Sequence, residues 1–296
     1  MRSYTLKIAG YTILFSSASD RLSLYPSRSQ ESFITNDKKF DLVINVSAGK
    51  ASVHSSSKPV FRAPYVEEIN GIPVKKSDRF WTVYTHGEYY LVNTTIPLSD
   101  IDREALLTVR PGEKSWDLVI DTESEEVNPF SYPLDGLIIY YLAALNGDIF
   151  IHGSGVEYNG RGYLFSGPSG RGKTTLASIF GKAGARVIHD DRLIIRRIPG
   201  GGFNMYNTPV YENEESRSST LDFIYLIDHG SDNFSSATGH SESLAAVMSN
   251  CIQHNWNTNL IGKLTGSLLE LVTSVPVKKL LFVPDITVID YIAGDG

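Results

Sequence analysis

The chain has 296 residues, of which 42% are hydrophobic and 20% charged, and its formal net charge at pH 7 is −6. This composition is typical of a folded globular protein large enough for two domains. A negatively charged chain without a Lys/Arg-rich run is not expected to bind nucleic acid.

The sequence also excludes a disulfide-bonded scaffold and a membrane-spanning protein. Cys251 is the single cysteine, so an intramolecular disulfide is impossible and a reducing cytoplasm is the expected compartment. The longest apolar stretch, residues 137–145, is far shorter than the ~20 residues needed to cross a bilayer. We therefore predict a cytoplasmic protein without a membrane span.

Residues 1–128 predict a β-rich module. Short apolar or alternating runs between Gly, Asn, Asp, Ser and Pro clusters are typical of strands. They occur at residues 4–8, 11–15, 40–46, 81–84, 89–92 and 116–120. The acidic stretch 121–126, followed by Pro129 and Pro133, places the predicted domain boundary near residue 128.

Residues 129–296 predict an α/β (α+β) domain. An apolar helix at 134–145 should be buried, and β-rich runs at 148–158 and 162–166 flank the hairpin signal Asn159-Gly160. A helix with apolar residues at 176, 179, 180 and 183 follows, ended by Gly184. The remaining predicted strands are 185–188, 193–198, 203–206, 221–227 and 277–283, the last closing the fold, and the remaining predicted helices are 241–254 and 260–272.

The segment from Gly167 to Thr174 has the spacing Gly-x4-Gly-Lys-Thr and lies between a predicted strand and a predicted helix. In that context the spacing indicates a phosphate-binding loop. Its glycines allow backbone amides to turn inward, Lys173 supplies a charge for the β- and γ-phosphates, and Thr174 offers a hydroxyl to Mg2+. The predicted nucleotide-binding residues are Gly167, Ser169, Gly170, Arg171, Gly172, Lys173, Thr174 and Thr175.

A phosphate loop of this kind needs a carboxylate near Mg2+, and two places offer one. Asp190 and Asp191 follow the predicted strand 185–188, and Asp228 follows 221–227. Adjacent carboxylates are electrostatically costly unless a cation or a shared proton relieves them, so the pair is the preferred site. One aspartate would orient the metal and the other would accept a proton, whereas Asp228 fits a polar loop better.

Three segments together resemble the catalytic core of HPr serine kinase/phosphorylase. They are Ile151-His152-Gly153-Ser154-Gly155-Val156, the loop Gly167 to Thr174 continued by Thr175-Leu176, and Val187-Ile188-His189-Asp190-Asp191. The same order of loop and paired aspartates is similar to ATP-dependent phosphoenolpyruvate carboxykinase, a relative by fold. The resemblance covers about residues 148–197, with weaker similarity at Thr208-Pro209 and 280–285. It does not extend to residues 1–128.

The resemblance implies a P-loop kinase domain preceded by the β-rich module. It implies ATP phosphates on 167–173, Mg2+ on Thr174 and Asp191, Asp190 and Lys173 as catalytic residues, and His152 lining the site. A His in an apolar strand is, by itself, usually a hydrogen-bonded core residue.

The substrate side departs from that family, because the Arg- and Gly-rich segment associated with its phosphorylase reaction is not found. In its place, residues 208–217 form either a substrate-side loop or a solvated acidic loop. In the first case Glu212 or Glu214 would add a metal contact and Arg217 would steady transition-state charge. HPr itself is therefore not predicted as the acceptor.

The sequence thus predicts an ATP- and Mg2+-dependent kinase that phosphorylates a hydroxyl of a protein, peptide or metabolite. The alternative is a nucleotide-binding regulatory module with slow or no phosphotransfer. The resemblance also makes a homo-oligomer an expectation.

Overall fold

The computed structural model describes residues 1–63, 68–69, 72–73, 80–98, 101–210 and 215–294 of a mixed α/β protein. The chain forms two compact units, one from Met1–Tyr141 with His254–Trp256, the other from Leu142–Val210, Glu215–Gln253 and the chain from Asn257. No helix among these described residues is long and apolar enough to span a bilayer. The predicted domains, 1–128 and 129–296, stay a prediction.

The first unit is built on an eight-stranded sheet. The strands of this unit are β1 (Ser3–Ile8), β2 (Tyr11–Ser16), β3 (Ser23–Leu24), β4 (Leu42–Ala48), β5 (Lys58–Arg62), β6 (Glu68–Ile69), β7 (Ile72–Pro73), β8 (Trp81–His86), β9 (Tyr89–Leu98), β10 (Ile101–Val109), β11 (Ser115–Ile120) and β12 (Glu126–Val127). The large sheet has the order β1-β2-β4-β11-β10-β9-β8-β5, and β3-β12 and β6-β7 form separate pairs. A 3₁₀ helix spans Arg28–Phe33.

The strands of this sheet form where side chains alternate between core and surface. In β11, Trp116, Leu118 and Ile120 are buried and the residues between them are partly exposed, as the two-residue period of a strand requires. The six predicted strands of this region are confirmed. Strand β10 was missed because three charged residues, 102–104, follow Ile101 at its start, and its pairing with β9 and β11 overrides that weak strand propensity.

Helix α1 (Leu134–Asn146) confirms the predicted apolar helix and ends one residue later. Eight of its side chains are buried: Leu134, Leu137, Ile138, Ile139, Tyr140, Tyr141, Leu142 and Ala143. A helix that is apolar on all sides is stable only when protein surrounds it, which is the observed burial.

The described residues of the second unit form two sheets and four further helices. Its elements are β13 (Ile149–His152), β14 (Ser154–Tyr158), β15 (Arg161–Ser166), α2 (Lys173–Lys182), β16 (Arg186–His189), β17 (Arg192–Arg197), β18 (Phe203–Tyr206), β19 (Ser218–Thr220), β20 (Phe223–His229), β21 (Phe234–Ala237), α3 (His240–Met248), α4 (Thr258–Ser274), β22 (Val277–Phe282) and α5 (Thr287–Gly294). The six-stranded sheet has the order β16-β14-β15-β20-β22-β21, and the four-stranded sheet has the order β13-β17-β18-β19.

The six-stranded sheet is covered on both faces. On one face, Phe165 and Tyr225 pack in a cluster with Leu176 and Phe180 of α2 and Ile289 of α5. On the other face, Leu164 and Ile224 of the sheet pack in a second cluster. This cluster also contains Leu193 of the four-stranded sheet, Val247 of α3 and Leu268 of α4. Neighbouring residues such as Leu164 and Phe165 therefore pack in cores on opposite faces of the sheet, which explains the continuous apolar run from Tyr163 to Phe165 in β15.

Three sequence predictions for this unit are corrected. The β-rich run 148–158 is divided at Gly153 into β13 and β14, which belong to different sheets. The helix predicted at 241–254 ends at Met248, because the following backbone pairs with β13 through Ile252 N–H and the Phe150 carbonyl. Strand β22 does not close the fold, since α5 follows and buries Val288, Ile289 and Ile292.

Candidate functional site

The loops of interest lie at one edge of the six-stranded sheet. Strands β15, β20 and β22 are parallel, and β16 runs in the same direction because both β15 and β16 are antiparallel to β14. The carboxyl ends of these four strands therefore meet at the same edge. In open α/β sheets this edge is where ligands bind.

The glycine loop, residues 167–172, connects the end of β15 to the start of α2, which is the strand–loop–helix context predicted for it. Gly170 has φ +79° and Gly172 has φ +92°, in the left-handed region that favours glycine. A Cβ on Gly172 would lie 2.7 Å from Cζ of Phe282 at the end of β22, so no other residue fits there without rearrangement. The predicted binding residues Ser169, Arg171, Thr174 and Thr175 are exposed.

Lys173 is the first residue of α2 and bends back over the glycine loop. Its Nζ donates hydrogen bonds to the carbonyls of Gly167 at 2.7 Å and Pro168 at 3.1 Å. Burial lowers the pKa of Lys173 below its ordinary value, although the charges of Asp191 and Asp190 act in the opposite direction. The ammonium group is therefore within electrostatic reach of both predicted aspartates.

Asp190 and Asp191, called here the aspartate corner, lie where the chain passes from β16 in one sheet to β17 in the other. A second crossing lies beside it, at Gly153 between β13 and β14. The Gly153 N–H donates to the Asp191 carbonyl at 3.0 Å and joins the two crossings. The corner is thus held between the sheets and is not the solvated turn that isolated aspartates at a strand end would form.

Asp190 is anchored by a buried hydroxyl. Oγ of Ser154, whose side chain is fully buried, donates to Oδ1 of Asp190 at 2.5 Å. A hydrogen bond from a hydroxyl to a carboxylate is charge-assisted, so the Asp190 side chain is fixed through one of its two oxygens.

Asp191 is flanked by His152 and Arg192 instead. His152 Nδ1 lies 3.6 Å from Oδ1, beyond hydrogen-bond length, and Arg192 Nε lies 3.1 Å from Oδ2 in an ion pair without hydrogen-bond alignment. Burial by itself would raise the pKa of Asp191, but His152 and Arg192 outweigh it and hold that pKa below its ordinary value. Asp191 is consequently a stable anion and a weak base.

His189, the last residue of β16, holds the backbone of the aspartate corner. Its Nδ1 accepts from the backbone N–H groups of Asp191 at 3.0 Å and Arg192 at 3.1 Å, so the proton must be on Nε2, which donates to the Val210 carbonyl at 3.0 Å. Burial lowers the pKa of His189, against opposing effects of the Val210 hydrogen bond and of the aspartates. A neutral imidazole is therefore built into the turn that presents Asp190 and Asp191.

Asp228, the alternative carboxylate, is the penultimate residue of β20 and lies at the same sheet edge. Its Oδ1 accepts from Arg171 Nη1 at 2.8 Å and from the His229 N–H at 2.8 Å. The His229 ring is tilted over Phe282, with centroids 5.7 Å apart, and its Nε2 lies 3.2 Å from the Gly170 carbonyl. Asp228 is thus paired with the glycine loop itself, a contact that spacing along the chain did not reveal.

The predicted substrate-side loop is placed only in part. Glu212 and Glu214 lie outside the described residues. Arg217 donates through Nη1 to the Val187 carbonyl at 2.9 Å, and its Nε lies 3.2 Å from Oε1 of Glu215. In this arrangement Arg217 supports the edge of β16.

The structure therefore groups Lys173, Asp190, Asp191 and His152, which come from three separate segments. Across the described part of the chain, no three His, Cys, Asp or Glu side chains are grouped to hold a metal ion. Sequence reasoning assigned no role to Ser154, His189 or Arg192, although Ser154 and His189 lie within the motifs that carried the resemblance. The available signal was a polar residue at the end of an apolar strand.

Comparisons with known proteins add little to this geometry. No protein family and no curated protein sequence matches the chain. Among solved structures, the HPr(Ser) kinase/phosphatase from Coxiella burnetii is similar over 50% of this chain and 99% of its own, with 9% sequence identity and a TM-score of 0.29. A likeness at this TM-score assigns neither fold nor activity.

Proposed function

We propose that the chain is an ATP-dependent phosphotransferase that phosphorylates a hydroxyl group of a protein, peptide or small metabolite. One observation carries the proposal: a Gly-x4-Gly-Lys-Thr loop and a pair of aspartates follow parallel strands to the same sheet edge, and both carboxylates act on Lys173. If the glycine loop and the aspartate corner had only structural roles, nothing would require them to lie at the same sheet edge with their charges close together.

The residues at this edge fit a magnesium-bound triphosphate. The glycine loop has the left-handed residues that turn backbone amides toward an anion, and the amino end of α2 adds its positive dipole. Lys173 would exchange its two loop carbonyls for phosphate oxygens. Thr174 and Asp191 would hold Mg2+, and the low pKa of Asp191 keeps that ligand ionised. When bound, the ion neutralises charge on the phosphate oxygens.

The two aspartates are suited to different roles. Asp190 is held by an uncharged hydroxyl and is the candidate base, whereas Asp191 lies beside His152 and is ion-paired with Arg192. In the transfer, the acceptor oxygen bonds to the γ-phosphorus, the bond from that phosphorus to the β,γ-bridging oxygen breaks, and ADP leaves. Asp190 takes the hydroxyl proton, while Lys173 stabilises the equatorial oxygens. His152, whose side chain is half exposed, would orient Asp191.

Substitution of the candidate base tests this proposal. Asp190→Asn should keep MgATP affinity within about threefold of the wild type and reduce transfer by at least about 100-fold, the usual contribution of a general base. The readouts are titration with MgATP and incubation of γ-labelled ATP with the protein and a cell extract.

Three outcomes decide between the readings. Labelling of an acceptor by the wild type, but not by Asp190→Asn or Lys173→Ala, supports a kinase. MgATP binding without any labelling or turnover would instead favour the nucleotide-binding regulatory module. Undiminished turnover in Asp190→Asn would remove Asp190 from the mechanism.

A further inference from the structure

Ser154 is the first residue of β14 and lies at the sheet edge that carries the glycine loop. It pairs directly with Phe165 of β15, and directly paired residues of antiparallel strands point to the same side of the sheet. Phe165 packs with Leu176 and Phe180 of α2. The Ser154 side chain therefore lies on the α2 side of the sheet, the side on which the glycine loop turns into that helix.

Packing alone does not explain a hydroxyl at this position. Ser154 has no exposed surface, and the next residue of β14 that faces α2 is the fully buried Val156. An alanine would fill the backbone requirement, and a buried hydroxyl is costly unless it is hydrogen-bonded. Its partner is Oδ1 of Asp190, at 2.5 Å, and that carboxylate lies in a different segment of the chain.

The two carboxylates of the aspartate corner are consequently held by different means. His152 and Arg192 lie beside the two oxygens of Asp191 without a hydrogen bond to either, whereas Ser154 donates a hydrogen bond to Oδ1 of Asp190, the one that this carboxylate accepts among the described residues. Fixing one oxygen of a carboxylate sets its rotamer and leaves the second oxygen in a defined direction. A base that is already fixed in this way does not lose side-chain entropy when it accepts the proton of the acceptor hydroxyl.

We infer that Ser154 is a positioning residue for Asp190, whose Oδ1 it holds so that Oδ2 is presented to the acceptor hydroxyl. The inference rests on the proposed function, in which Asp190 is the base, and deepens it by naming the residue of β14 on which that role depends. Ser154 itself touches neither nucleotide nor acceptor.

The test compares Ser154→Ala with Ser154→Thr in steady-state MgATP hydrolysis, in which water serves as the acceptor. Ser154→Ala should lower kcat about 10- to 100-fold, the range expected when a catalytic group is misplaced, and leave the KM for MgATP within about twofold. Ser154→Thr retains a hydroxyl and should restore most of kcat. Unchanged kcat in Ser154→Ala, or an equal loss with threonine, would overturn the inference.

Ser166→Ala is the matched control for loss of a buried hydroxyl. Ser166 is also fully buried, at the same end of the sheet, and its Oγ has no hydrogen-bond partner among the described residues. Its removal should leave kcat unchanged. The same fall in kcat in both alanine variants would show that the effect is one of packing, against the inference.

A double-mutant cycle separates positioning from general damage. If Ser154 acts through Asp190, Ser154→Ala should cost little further kcat in an Asp190→Asn background, since the interaction is already lost. Additive losses would contradict the inference. A wild-type protein that neither hydrolyses MgATP nor labels an acceptor would contradict the proposed function itself, whereas an active wild type with an equally active Ser154→Ala would contradict only the role of Ser154.

Discussion

The glycine loop and the aspartate corner lie at the same sheet edge but are constructed in opposite ways. The loop is one continuous segment whose form comes from the backbone, with positive φ at Gly170 and Gly172. The corner depends on side chains from other segments: Ser154 holds Asp190, and His152 lies beside Asp191. The first kind of site depends on local conformation, and the second depends on correct strand pairing.

This difference determines how each region should respond to substitution. A change in the loop should act on phosphate binding directly, because the backbone itself forms the predicted cradle. A change in the corner should spare nucleotide affinity and alter turnover, because its side chains orient carboxylates. Four predictions sharpen the contrast, from the largest expected effect to the smallest.

Lys173→Ala should produce the largest loss. Its ammonium group, now held by two loop carbonyls, is the charge proposed to bind the β- and γ-phosphates. Loss of a hydrogen-bonded charge should weaken MgATP binding at least about tenfold. Lys182→Ala, an exposed lysine at the other end of α2, is the control. Wild-type affinity in Lys173→Ala would remove the phosphate-binding role of the loop.

Gly172→Ala should damage the loop more than Gly170→Ala does. Both substitutions carry the left-handed penalty of about 1–2 kcal/mol. Only at Gly172 does the new Cβ meet another group, Phe282 Cζ at 2.7 Å, so overpacking should add about 1–3 kcal/mol. Urea unfolding and MgATP titration of both variants measure the difference. Equal behaviour would mean that Phe282 does not constrain the loop.

His189→Gln should change the pH dependence of stability and leave MgATP affinity nearly intact. Burial lowers the pKa of His189, so the folded chain keeps it neutral while the unfolded chain protonates it below about pH 6.5. Its contribution to the free energy of unfolding is complete above that pH. It falls as pH drops through the folded pKa, by at most about 1.4 kcal/mol per pH unit.

Glutamine at position 189 does not titrate, so the variant should lose this part of the acid destabilisation in urea unfolding between pH 8 and pH 5. The same substitution at the exposed His240 provides the background. Parallel stability curves for the wild type and His189→Gln would contradict the neutral imidazole assigned to the corner.

Asp228→Asn should have the smallest effect. Its ion pair with Arg171 is half exposed on both sides, at 48% of each side chain, and such pairs contribute at most about 1 kcal/mol. The Mg2+ concentration needed for half-maximal ATP turnover should not change in Asp228→Asn and should rise in Asp191→Asn. A larger rise in Asp228→Asn than in Asp191→Asn would mean that Asp228, and not Asp191, holds Mg2+.

Much of the fold could be predicted from periodicity. The strand Phe203–Tyr206 has the predicted bounds, and α1 and α2 occur where apolar spacing and a terminating glycine placed them. The predictions failed where tertiary contacts compete with local pattern. Residues after Met248 pair with β13 and do not extend α3, and Gly153 separates what appeared to be one strand because the chain changes sheets there.

The sequence by itself determined the glycine loop, because all its determinants lie within eight consecutive residues and act through local backbone conformation. Only the tertiary structure decided which groups surround each aspartate. Ser154 reaches Asp190 across 36 positions and Arg171 reaches Asp228 across 57, through strand pairings that bring distant segments together. Side-chain neighbours follow from the register of a sheet, and that register is set by the burial of whole strands, beyond the reach of spacing along the chain.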